Sequence, residues 1–212
     1  TVVVALSLFW TLHQYKEEGL EEARTQARTA YEKDVIYRRW NSSKGGVYVP
    51  ASEATPSNPY LDVPERDIET PLGKKLTLVN PAYMTRQVHE LARASQGVIG
   101  HITSLNPIRP ENVPDAWESS VLERFERERS EISEVQSING RPYMRLMRPL
   151  LTEEGCLKCH AKQGYAVGDV RGGLSVAVPL DQVSAASERV AVALIGGHVL
   201  LWLIGLAGLG IA

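Results

Sequence analysis

Only two cysteines, Cys156 and Cys159, occur among the 212 residues. A disulfide-stapled scaffold needs more thiols at wider spacings, so that class is excluded. Neither sign of charge is in excess: 23 Lys and Arg face 25 Asp and Glu, for a formal net charge of -2. With a pI near 6.2 there is no basic footprint, and nucleic acid is not an expected partner. The chain has no phosphate-binding glycine loop, no HExxH pair and no nucleophile elbow, and its carboxylates show no paired catalytic spacing. Enzymatic activity is therefore not expected; any catalytic output domain would lie beyond residue 212. Internal repeats and low-complexity segments are absent as well.

What is present is unevenly spread. Apolar residues make up 43% of the chain and concentrate at its two ends. Thr1–Leu12 reads TVVVALSLFWTL, uncharged but shorter than the roughly 20 residues of a full span. Because the sequence opens on Thr and not Met, the expectation is that residues 1–14 are the outer end of a longer transmembrane helix. Val190–Ala212 holds no Asp, Glu, Lys or Arg and is long enough to cross a bilayer, so a second transmembrane helix is expected over 188–212. His198 and the glycines inside it suit helix packing better than chemistry.

Between the ends, residues 15–40 are rich in Glu, Ala, Arg and Gln, and Leu20, Ala23, Ala27, Ala30 and Tyr31 recur at helical steps. This predicts a stalk helix, with a stripe that also suits pairing in a homodimer. Asn41–Glu69 contains Pro50, Pro56, Pro59 and Pro64 after Gly45 and Gly46, and reads as a long ordered loop. Pro81–Gln96 reads as a helix, N-capped by Asn80 and stopped by Gly97, with Met84, Val88 and Leu91 on its apolar face. A charged helix is expected over Trp117–Arg129. Strands are expected at Val98–Leu105, Glu134–Ile138, Tyr143–Leu150 and Gly172–Val178, with Asn139-Gly140 as a hairpin turn. This order predicts an α+β domain over 41–187, built on an antiparallel sheet with flanking helices.

The chemistry lies in Cys156-Leu157-Lys158-Cys159-His160, a C-x-x-C-H motif. Two thiols at this spacing reach the two vinyl groups of one porphyrin and form thioethers, and the adjacent imidazole falls beneath the iron as the proximal ligand. A zinc site would need two further ligands at similar spacing, and none exists. Thioredoxin-like chemistry would place the CxxC at the start of a helix after a strand. The expectation is one covalent haem c, held by Cys156, Cys159 and His160.

The sixth iron position stays open at this level. Met84, His101 and His89 are the candidates, and Met84 leads because it lies on the apolar face of the interior helix. Arg86, Arg38 and Arg39 are candidate partners for haem propionates, since guanidinium forks match carboxylates.

YRRWNSSKGGVYVP (37–50), NPAYMTRQVHEL (80–91), GHITSLNPIRPEN (100–112) and GCLKCH (155–160) with GDVRGGLSVAVP (168–179) occur in that order. In this ordered set the chain resembles the extracytoplasmic, PAS-like c-type haem sensor domains found at the N-termini of bacterial histidine kinases, diguanylate cyclases and chemoreceptors. The resemblance spans most of residues 31–180. It implies a PAS-like fold between two transmembrane helices, and a haem on Cys156, Cys159 and His160. It also implies a redox or small-ligand (diatomic gas) sensing role. Some relatives use a Cys as distal ligand, and here no third Cys exists. Relatives also continue into a cytoplasmic output domain. The expected home is the bacterial inner membrane, in contact with membrane lipid, with the haem domain in the periplasm. The alternative is an electron-transfer cytochrome subunit of a larger membrane complex with a redox partner.

Overall fold

A computed structural model describes residues 2–211, the side chains of 182–187 and 209–211 excepted. The first element, α1 (Val2–Ser43), is one unbroken helix that joins the apolar N-terminal run to the expected stalk. Gly19 lies inside it at a cost of about 1 kcal/mol relative to Ala. Ala23 and Ala27, one turn apart, are fully buried, and their small size lets the helix axis approach the domain closely. The helix ends because Gly45 and Gly46 adopt positive φ, and their N–H groups donate to the carbonyls of Ser42 and Asn41.

The proline-rich stretch is not wholly a loop, as the sequence suggested. It contributes β1 (Val47–Pro50) and β2 (Asp67–Glu69), which flank β3 (Lys75–Val79) in a three-stranded antiparallel sheet of order β1-β3-β2. Pro50 is tolerated because it closes an edge strand, where its missing N–H forfeits no ladder bond.

The helix α2 (Pro81–Gln96) has the predicted caps: Asn80 Oδ1 accepts from the Tyr83 N–H, and Gly97 is left-handed. Its inner face is not the predicted one. Tyr83, Thr85 and His89 are buried, whereas Leu91 is 71% and Val88 39% exposed. Polar anchoring overrides hydrophobic periodicity here. His89 Nε2 sits 2.6 Å from Asp34 Oδ2 on α1, and the Tyr83 hydroxyl donates to the Pro56 carbonyl.

The main sheet comprises β4 (Ile99–Thr103), β5 (Ile132–Ile138), β6 (Arg141–Leu151) and β7 (Val170–Pro179) in the antiparallel order β4-β7-β6-β5. Asn139 and Gly140, both at positive φ, form the β5–β6 turn. The helix α3 (Ala116–Phe125) starts with an Asp115/Glu118 capping box and stops short of the expected Arg129. Alternation along the strands divides the core. Met144, Leu146, Val176 and Val178 pack with Ala23 and Ala27 of α1, while Met147 and Ile132 pack with Val121, Leu122 and Phe125 of α3. Each fully buried aliphatic side chain contributes about 1.5–3 kcal/mol. The architecture is thus α+β, with antiparallel sheets and flanking helices.

The final helix, α5 (Asp181–Ile211), follows β7 directly. Its segment Glu188–Gly208 has a mean hydropathy of 2.3 and is long and apolar enough to cross a membrane; it is the one such segment among the described residues. The apolar start of α1 is shorter than that, so the described residues contain one of the two expected spans at full length. The two helices lie side by side, with Ser7 Oγ 3.3 Å from His198 Nε2.

Candidate functional site

The C-x-x-C-H motif occupies an excursion between the neighbouring strands β6 and β7. A 3-10 turn (Glu154–Cys156), the short helix α4 (Leu157–His160) and a second 3-10 turn (Ala161–Gln163) follow without interruption. Its base is closed by the Thr152 N–H donating to the Asp169 carbonyl and the Gly168 N–H to the Thr152 carbonyl. The motif therefore hangs from two strands that are fixed to each other by sheet hydrogen bonds.

The start of this excursion abuts the last turns of α1. A Cβ on Gly155 would lie 2.5 Å from Ser42 Oγ, so a larger residue here would require the Ser42 hydroxyl to turn away. Arg39 pairs with Glu153 at 2.9 Å across the same contact. On the other flank Lys162 Nζ reaches Asp62 Oδ2 at 3.1 Å.

Cys156 and Cys159 are free, half-buried thiols. Burial, followed by the charge of Cys156, pushes the Cys159 thiol up, so it is protonated at neutral pH. His160 is also half-buried. Burial pushes its pKa down; the hydrogen bond to Gln163 opposes this, and the charges of Arg171 and Arg38 add to it. The imidazole is neutral as a result. Gln163 donates through Nε2 to the Asn106 carbonyl, which turns its Oε1 toward His160 Nδ1 at 2.8 Å. Arg171 Nε approaches the same nitrogen at 3.0 Å. These two contacts belong to opposite tautomers, and only the one with its proton on Nδ1, donating to Gln163, leaves a lone pair on Nε2 for a metal.

Three arginines surround the motif. Arg171 donates to Ser104 Oγ and lies over the Tyr165 ring. Arg39 is paired with Glu153. Arg38, on the inner side of the last turns of α1, has an Nη1 sealed from solvent and without a hydrogen-bond partner. Its pKa is lowered by burial, while the nearby charges of Cys156, Asp34, Tyr31 and Glu153 oppose that shift.

The candidates for the sixth position lie in different settings. Met84 Sδ is 3.9 Å from Asn41 Nδ2, and Asn41 immediately precedes the Ser42 that meets Gly155. His89 gives Nε2 to Asp34. His101 places Nδ1 against both Glu118 oxygens and Nε2 against the Glu111 carbonyl, so both ring nitrogens are engaged. Arg86 lies over the Tyr83 ring, with Arg109, Glu90 and Glu111 as its other charged neighbours.

Sequence reasoning did not single out Gln163, Arg171 or Asn41. Gln163 stands three residues after His160, a spacing that could have indicated it. Arg171 and Asn41 carry no local signal. Asn41 is fully buried, donates to the Val79 carbonyl and leaves its Oδ1 unpaired.

A family model described as Tll0287-like matches residues 16–179, more than three quarters of the chain. Among solved structures, the crystal structure of the cyanobacterial heme-protein Tll0287 is similar at 17% sequence identity and a TM-score of 0.48. The similarity covers 74% of this chain and 95% of that one. No curated protein matches. The matched residues take in the whole C-x-x-C-H excursion and both sheets, and on that match the chain belongs to the Tll0287-like family.

Proposed function

We propose that this chain is a membrane-anchored, PAS-like domain that carries one covalent c-type haem on Cys156, Cys159 and His160 and serves as a redox or small-ligand sensor input. The observation that carries the reading is the closed helical excursion at residues 154–163. It presents two free thiols and a neutral imidazole in the order a porphyrin requires, directly against α1.

The residues fit the group. Among the described residues no three His, Cys, Asp or Glu side chains converge as a bare cation would require. Thioether attachment needs the two sulfurs aimed at two separate vinyl groups. Each thiol would add across one vinyl double bond, its sulfur bonding one carbon and its hydrogen passing to the other. The Gln163 acceptor on Nδ1 orients the ring and raises the basicity of Nε2 as proximal ligand. Haem, when bound, supplies a one-electron couple and a site for diatomic ligands. Met84 is the favoured sixth-position residue, because His89 and His101 would each have to leave a hydrogen-bonded partner.

The sensing role is supported by the contact between the motif and α1, a single helix that runs from the apolar segment to Ser43. A small displacement at the motif would be carried along that helix, a recognised mode of switching. Attachment of haem c takes place outside the cytoplasm, so on this reading the domain faces the periplasm from the inner membrane, with α5 as an anchor.

Expression with a working haem-ligation system tests the reading. The chain should run as a haem-staining band on denaturing gels, and the Cys156→Ala, Cys159→Ala double variant should lose it. A colourless wild-type product, or haem released by acid-acetone, would sink the proposal. CO or NO binding to the ferrous protein without denaturation is the sensor outcome; refusal of both ligands assigns electron transfer instead.

A further inference from the structure

Resting on the haem reading above, we infer that Arg38 is the anchor for a haem propionate and ties the prosthetic group directly to α1. Arg38 is half-buried with its Nη1 sealed from solvent, and such a nitrogen needs an acceptor; the carboxylates that act on it, Asp34 and Glu153, are each already paired. Asp34 is engaged by His89 at 2.6 Å, and Glu153 by Arg39 at 2.9 Å. Among the described residues Arg38 makes no ion pair, and its Nη1 is enclosed and unpaired.

The position of this guanidinium matters as much as its solitude. Its charge acts on both Cys156 and His160, so it lies close to two of the three residues that would hold the porphyrin. The two other arginines proposed from sequence are occupied, Arg39 by Glu153 and Arg86 by the Tyr83 ring. Arg171 is closer to His160 but already serves Ser104 and Tyr165. A carboxylate is the complement of the Arg38 fork, and a haem held by Cys156 and Cys159 brings two of them.

The consequence is mechanical. Arg38 stands five residues before the end of α1 and one turn after Asp34, which anchors α2 through His89. A propionate held here would make α1, not the sheet alone, part of the haem's wall. Any change of charge at the iron would then be felt on the helix that leads toward the membrane.

The test compares haem-loaded Arg38→Met, Arg38→Lys and Arg39→Met with wild type. The readouts are the reduction potential and the propionate bending band in the resonance Raman spectrum. Loss of a positive charge beside the haem favours the ferric form. Arg38→Met should shift the ferric-to-ferrous balance at least tenfold toward ferric, about 59 mV for a one-electron couple, and should move the propionate band. Arg38→Lys keeps the charge but not the fork, so it should move the band with little change in potential; it also guards against a folding failure in the Met variant. Arg39→Met should change neither readout. Two Arg38 variants with wild-type potential and band would overturn the inference, as would an Arg39→Met shift equal to that of Arg38→Met. A wild-type chain without haem would sink the underlying reading instead.

Discussion

At the scale of single residues, the site separates groups by whether their partners are already present. His89, His101, Arg39, Arg86 and Arg171 all have them; Arg38 Nη1 and Asn41 Oδ1 do not. An unpaired buried polar atom costs about 1–3 kcal/mol, more if it is charged, so such atoms mark where a further group belongs. The same logic bears on Met84. Among the described residues its one hydrogen-bond contact is the long one from the Asn41 amide, and a soft sulfur is released from such a contact at little cost. Met84→Ala is therefore expected to convert a six-coordinate low-spin absorption spectrum to a high-spin one, with covalent haem content unchanged. An unaltered spectrum would move the assignment to His101. Cys156, Cys159 and His160 were legible from the sequence, because the thioether chemistry dictates both residue types and spacing. Arg38 was legible only as one of three arginines. What distinguished it was the occupation of Asp34 and Glu153 by other partners, and those pairings join residues 55 and 114 positions apart.

At the scale of elements, α1 does two jobs that its composition conceals. Part of its apolar stripe is used within the chain: Ala23 and Ala27 pack on the main sheet. Helix and sheet approach closely only because these side chains are methyl groups. Ala27→Leu would force three extra carbons between α1 and the β6–β7 face. The expected cost is about 1–3 kcal/mol, a fall of several degrees in Tm measured by circular dichroism. A wild-type Tm would contradict the packing described. The close approach of α2 to β4 obeys a similar rule, since any Cβ on Gly100 would collide with the His89 ring. Periodicity located α2 to the residue but chose the wrong face. Hydrophobic pattern reports on average burial, whereas here the buried Asp34–His89 pair and the Tyr83–Pro56 hydrogen bond hold the polar face inward.

At the scale of the whole molecule, the chain combines a water-facing α+β body with a long apolar helix. None of the residues in the apolar window of α5 is buried. Nine large apolar side chains exposed between Val192 and Leu206 would be strongly unfavourable in water, the pattern expected of a helix that crosses a bilayer. The intact chain is expected to stay in the membrane pellet after an alkaline carbonate wash; release into the supernatant would contradict a spanning α5.

Local chemistry set several features without help from the fold. These are the thiol–imidazole spacing, the caps of α2, the Asn139-Gly140 turn and the apolar length of α5, each of which depends on residues within a few positions of one another. Tertiary structure alone decided that the proline-rich stretch yields a second sheet, that α2 turns its polar face inward, and that the motif presses on the end of α1 beside a partnerless arginine. Those outcomes depend on which distant groups claim each other first, and that competition is settled only when the whole chain has closed around its core.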